Sequence, residues 1–255
     1  MVKILVICPY EEYMLKAIIQ TQVIDIAKFI IIGSRKRIIE KCYLKDINYQ
    51  LLNIIDIDNE LEICFKANEI LNQDDVLGVI FGNFPASFQK NIIKLDNDIS
   101  IIDVPKAAHL LIVPRYVNDE FISFDEKKQA ILTCKELLAK YNIEYFKIGF
   151  VTGKKTCTLD IEKSIIKLDK ELSNYKIDII TIDQIFSDKY NVLIFNNTDA
   201  ANIFIETVLM LEKSKYANIK KASKHYVIDA CEMQYRNLFF SIFMVSKLRL
   251  NAEAC

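Results

Sequence analysis

Tryptophan is absent from this 255-residue chain, which holds only five glycines and four prolines. So few backbone-special residues exclude collagen-like, proline-rich and Gly/Ser-linker architectures. Histidine occurs twice, as His109 and His225. The seven cysteines are Cys8, Cys42, Cys64, Cys134, Cys157, Cys231 and Cys255. No two of them form a C-x-x-C pair and none has a histidine at ligand spacing, which argues against a structural zinc and leaves no metal in the expectation. An odd set of thiols without a framework fits a reducing cytoplasm. The net charge is −1. Neither nucleic acid nor an anionic membrane is therefore an expected partner. The longest apolar runs, such as "LFFSIFMV" (238–245), are far too short to span a bilayer. The opening "MVKILVICPYEE" has no secretory pattern. The expected location is cytoplasmic.

What is present is a large apolar content, 52% of the residues. That removes disorder from consideration, and the length allows a substantial core. Short continuous apolar runs alternate with amphipathic stretches. "KILVIC" (3–8), "AKFIIIG" (27–33), "YQLLNIIDI" (49–57), "DVLGVIFGN" (75–83), "SIIDV" and "AHLLIVP" read as strands. Between them, residues 11–26, 34–44 and 59–73 and the stretch after Pro85 read as helices. Ser34 and Asn59 or Asp58 stand as N-caps, and Pro85 near a first turn. After a charged stretch the alternation resumes. Helices are expected at 125–141, 159–175, about 200–213 and about 235–250, with strands at 145–153, 176–182, 190–195 and 225–230. Continuously apolar strands between helices imply parallel sheet covered on both faces, hence layered α/β architecture. No Gly/Ser linker and no repeat of fixed period divides the chain. We expect two α/β domains, residues 1–104 plus about 223–255 and residues 105–222.

Ligands of such sheets sit beyond the carboxyl ends of the strands. That rule singles out residues 8–12, 33–36, 57–60 and 82–87. "GSRKR" (33–37) offers Ser34, Arg35 and a helix N-terminus to an anion, or is simply solvated. "GKK" (153–155) lacks the rest of a phosphate-binding loop. His109, in an apolar stretch, reads as a core histidine. Cys231 reads as a small buried residue. His225 shares its strand face but lies about 20 Å away at strand rise, too far to activate it.

The order of segments, together with "NNTDAANI" (196–203), "IDIITIDQIFS" (177–187) and "IIDVPKAAHLLIVP" (101–114), resembles the phosphate acetyl/butyryltransferase family. The likeness runs over nearly the whole chain. It implies an isocitrate/isopropylmalate dehydrogenase-like fold with a cleft between two domains and a homodimer formed through the second. The implied reaction is acyl-CoA plus phosphate giving acyl phosphate plus CoA, with the thioester as substrate and no cofactor. Asn197, Asp199, Ala200, Asn202 and Ile203 match or conservatively replace a family motif of the type P-N-x-E-A-G-N-I. Asn197 and Asn202 read either as ligand contacts or as capping residues. A second motif, S-R-A-D-S, falls on residues 230–234. There Ala230 replaces the serine, Cys231 the arginine and Met233 the acid, and Glu232 adds negative charge. A turn of the type K-G-x-x-x-T keeps Gly82 but not the lysine, with Asn83 and Ser87 beside it. Arg115 stands where the family has an acid in a further turn. Thus Gly82, Asn83, Ser87, Arg115, Asn197, Asn202 and Glu232 are the expected substrate contacts, and Ala230, Cys231 and Met233 occupy the family's catalytic positions. Three readings follow. The first is an active acyltransferase with substitute cations (Arg115, Lys106 or Arg35). The second is a non-catalytic homologue that binds CoA, an acyl ligand or a partner. The third is a different enzyme on the same fold.

Overall fold

The structure is a computed structural model, and it describes residues 1–73, 75–94, 97–104, 109–115, 123–152, 159–172, 177–212, 214–230 and 233–250. Contacts divide the chain into two compact units, Met1–Asp96 with Ala217–Cys255, and Asn97–Tyr216.

In the first unit, strand β1 (Val2–Ile7) leads through helix α1 (Glu12–Val23) to β2 (Ala27–Gly33), then α2 (Arg35–Leu44), β3 (Ile54–Asp56), α3 (Glu60–Gln73), β4 (Val76–Phe81) and α4 (Ala86–Ile92). The chain returns to this unit with β10 (Lys215–Ala222, from residue 217), β11 (His225–Asp229) and α9 (Tyr235–Leu250). The strand order is β3-β2-β1-β4-β11-β10. All neighbours are parallel except β10 with β11. The reversal between β3 and β4 sends the chain to the other side of β1, and right-handed crossovers then place α3 on the face opposite α1 and α2. Helix α1 packs on α9, and α3 on α4. Ile4, Leu5, Ile31, Ile32, Val79, Ile80 and Ile228 are buried between these layers, as continuous apolar strands require.

In the second unit, β5 (Asn97–Val104), β6 (His109–Arg115), α5 (Phe124–Lys140), β7 (Ile148–Val151), α6 (Leu159–Glu171), β8 (Ile177–Ile180), α7 (Gln184–Ser187), β9 (Val192–Ile194) and α8 (Thr198–Glu212) follow in turn. The order is β5-β6-β9-β7-β8, antiparallel only between β5 and β6. Helix α5 opens with a full capping box, Ser123 with Glu126, which the sequence reading did not name. The core gathers Leu111, Val113, Ile180, Tyr190, Leu193, Phe195, Phe204 and Val208.

Three differences from the sequence reading have local causes. Wholly parallel sheet was expected, yet two of the described pairs run antiparallel. Four residues separate β5 from β6 in sequence and two separate β10 from β11, too few to carry a parallel crossover. Strand β10, "KYANIKKA", was not expected at all. The strand expected over 49–57 begins as a 3₁₀ turn at Tyr49–Leu51, because the Asn48 side chain accepts from Gln50 N at 3.2 Å. That is an Asx turn, which competes with extended structure. Among the described residues no helix is long and apolar enough to cross a membrane.

Candidate functional site

In the second unit the carboxyl ends of β6 and β9 form one edge. Ile112 is the parallel partner of Val192, so Arg115 stands level with Phe195, just before Asn196 and Asn197. Asn197 Oδ1 accepts from Ala200 N at 2.8 Å, which caps α8, and Thr198 is buried beside it. The capping reading of Asn197 is therefore satisfied by the chain itself. One turn on, half-buried Asn202 turns Oδ1 toward Arg115, whose Nη1 lies 3.5 Å away. This long contact brings a permanently charged, planar donor group up to the amide of α8. Phe195 and Phe204 pack below, with ring centroids 5.3 Å apart. Arg115, Asn197 and Asn202, chosen from three separate sequence positions, are thus neighbours.

In the first unit, Asp229 is the parallel partner of Phe81, so Ala230 lies level with Gly82. Two of the three positions implied as catalytic, Ala230 and Met233, are packed. Ala230 is buried, and its carbonyl accepts both Tyr13 Oη at 2.8 Å and Met233 N at 3.3 Å. Met233 is buried, with its sulfur 3.8 Å from the Ser241 hydroxyl of α9. Neither side chain can donate or take up a proton. Cys231, Glu232, Lys106, Cys157, Cys255, the Gly-Lys-Lys stretch at 153–155 and the His109 side chain lie outside the described residues.

Gly82 has a structural reason to be glycine. A Cβ there would stand 2.3 Å from the Cys8 carbonyl oxygen. The turn is pinned to β1 by Gly82 N to Ile7 O at 2.8 Å and Asn83 N to Cys8 O at 2.9 Å. This leaves the Asn83 side chain and Ser87 exposed at the same edge. On the β1 side, Cys8 holds a left-handed φ of 52°.

The α2 N-terminus differs from the expectation placed on "GSRKR". Ser34 makes no side-chain cap. Instead Ser34 N donates to Tyr10 Oη at 2.9 Å and Arg35 N donates to Asp56 Oδ1 at 2.8 Å. Two of the orphan N–H groups that would greet an anion are already spent inside the protein. Burial pushes the Tyr10 phenol up to about 12, against the lowering effect of the Ser34 N–H. Burial likewise raises the thiols of Cys8, Cys42, Cys64 and Cys134, which makes them poor nucleophiles. His225 is buried, with Nδ1 2.8 Å from Val76 O, and burial lowers its pKa. Sequence reasoning missed Tyr13, and it gave Tyr10 and Arg37 no role of their own although both fall in stretches it singled out (8–12 and 33–37). Their roles depend on partners distant in sequence.

No family model and no curated relative matches the chain by sequence. Solved structures do match it by shape. A branched-chain phosphotransacylase from Enterococcus faecalis V583 superposes with a TM-score of 0.78 at 9% identity, covering 97% of this chain and 99% of that one. The fold is that of the phosphotransacylases. The EutD phosphotransacetylase from Staphylococcus aureus gives a TM-score of 0.71 at 12% identity over 96% and 93% of the two chains. Isocitrate dehydrogenase from Methylococcus capsulatus gives 0.55 at 12% identity over 100% and 86%. The isocitrate dehydrogenase-like α/β architecture expected from the resemblance is therefore present, and it spans the whole length of the phosphotransacylase neighbour.

Proposed function

We propose that this protein is phosphate acyltransferase-like, acting on or binding an acyl-CoA thioester of the acetyl-to-butyryl type together with phosphate, with turnover reduced or lost. The observation that carries the reading is the end-to-end match in fold to phosphotransacylases. The residues give it chemical content. Transfer of an acyl group to phosphate needs a cation to hold the phosphate against the thioester carbon. It also needs hydrogen-bond donors for the tetrahedral oxyanion and the departing thiolate. Orientation of that kind is worth about 7–11 kcal/mol of barrier, and one oxyanion donor about 3–4 kcal/mol. Arg115, steadied by Asn202, supports the role of phosphate-holding cation in place of the arginine that Cys231 replaces. Gly82, Asn83 and Ser87 are the proposed contacts from the first unit. No metal or other cofactor is required.

A second reading, a non-catalytic homologue that binds CoA, an acyl ligand or a partner, is favoured by one observation: Ala230 and Met233 are packed apolar residues. In either case we propose a homodimer through the second unit, where Ile203 (65% exposed) and Met210 (83% exposed) share one face of α8.

Thiol release from acetyl-, propionyl- and butyryl-CoA in the presence of phosphate decides between them. A steady rate of the order of seconds per turnover, abolished by omitting phosphate and reduced at least about tenfold by Arg115→Ala, supports catalysis. No release, with CoA still raising the melting temperature, supports binding alone. Absence of both removes the acyltransferase reading.

A further inference from the structure

At the carboxyl ends of β1 and β4, where the strand order of the first unit reverses, a pocket of about 300 Å³ opens. Such reversal points are where open α/β sheets receive ligands. Three elements line this one: Tyr10 and Glu11 after β1, Arg37, Glu40, Lys41 and Leu44 on α2, and Asn83 after β4. Its volume is at the lower end of small-molecule sites.

The charges are balanced and uncommitted. Arg37 and Lys41 supply two positive groups, and Glu11 and Glu40 two negative ones. None of the four enters an ion pair among the described residues. Glu11 occupies the N-cap position of α1 without using its carboxylate as a cap. Arg37 is oriented rather than loose, because its guanidinium carbon lies 4.8 Å from the centroid of the Tyr10 ring. That ring is itself held by the Ser34 N–H. Leu44 adds an exposed apolar wall. A polyanion such as CoA or a nucleotide would set its phosphates against Glu11 and Glu40, each such contact being repulsive. A simple carboxylate would leave the two acids unmatched, and a simple amine the two bases.

We infer that this pocket binds a small zwitterion, a free α-amino acid with an apolar side chain. The carboxylate meets Arg37 and Lys41, the ammonium meets Glu11 and Glu40, and the side chain rests on Leu44. The site is separate from the acyltransferase reading, although Asn83 figures in both, and it is tested without acyl-CoA.

Isothermal titration and thermal melting of the full chain with L-leucine and L-valine test the assignment, with isovalerate, isopentylamine, inorganic phosphate and CoA as comparisons. The expected result is saturable binding of at least one amino acid. Isovalerate and isopentylamine, which each carry one of the two charges, give no shift at the same concentration. Arg37→Gln and Glu11→Gln each weaken amino-acid binding by about tenfold or more. Both side chains are exposed, so the variants should melt like the parent. If Arg37→Gln does not, Lys41→Gln replaces it. The proposal is overturned if neither amino acid binds, if a single-charge analogue binds as well, or if the variants bind undiminished. Binding of phosphate or CoA in the pocket in place of the amino acids overturns it equally.

Discussion

The two units end their parallel strands in different ways. In the first, the polar groups at the strand ends are largely turned inward on the protein. Tyr10 takes the Ser34 N–H, Asp56 takes the Arg35 N–H, and Tyr13 ties down the Ala230 carbonyl. In the second, the strand edge keeps a cation and an amide facing one another, Arg115 and Asn202, beside a helix that is capped from within by Asn197. A fold built to hold an acyl phosphate needs fixed charge at such edges. The contrast lies between strand ends whose backbone N–H and carbonyl groups are closed by the protein's own side chains and an edge where a charged side chain meets an amide.

Substitutions can break or sharpen that contrast. The largest effect is expected from Gly82→Ala. The added methyl meets a main-chain carbonyl at 2.3 Å, and the loss should be roughly 3 kcal/mol or more, a fall in Tm of roughly 6–12 °C. A Tm within a degree of the parent would show that the first unit's edge is not locked. Next is Met233→Asp, which restores the acid of the resemblance to a packed position. Burying it beside Ser241 should cost about 2–3 kcal/mol in chemical denaturation. If it is instead tolerated and thiol release rises, the position is still catalytic in shape. Asn197→Ala should cost about 1 kcal/mol through the lost cap, with Asn197→Asp close to neutral. The smallest effect concerns pH. Burial holds the folded pKa of His225 below its ordinary value, so its protonation favours the unfolded chain. Stability from this source is intact above about pH 6.5 and declines as the pH falls from there toward the folded pKa. Melting curves between pH 7 and pH 5 should therefore flatten in His225→Asn.

How much of this was legible in the sequence follows from the range of each interaction. The α/β alternation was legible because buried parallel strands read as unbroken apolar runs. Strand β10 was not, since three lysines and an asparagine among its eight residues imitate a solvated linker. Asn197 was legible as a cap from residue type alone. The meeting of Arg115 with Asn202 joins positions 87 apart in sequence, and no local pattern encodes it. Only alignment to a family motif had placed both on the same list. The anion-site alternative at Ser34 and Arg35 loses two backbone donors for the same reason in reverse: the hydroxyl and carboxylate that consume those N–H groups come from the turn after β1 and from β3, out of reach of any short window of sequence.

The contact between Gly82 and Cys8 has a mechanical consequence. Two successive amides of the β4 turn hang from the backbone of the first strand, and there is no room between them for even one carbon. The two turns are therefore built as one piece: the backbone of Ile7 and Cys8 sets where Gly82 and Asn83 stand, and neither turn can be redrawn without the other.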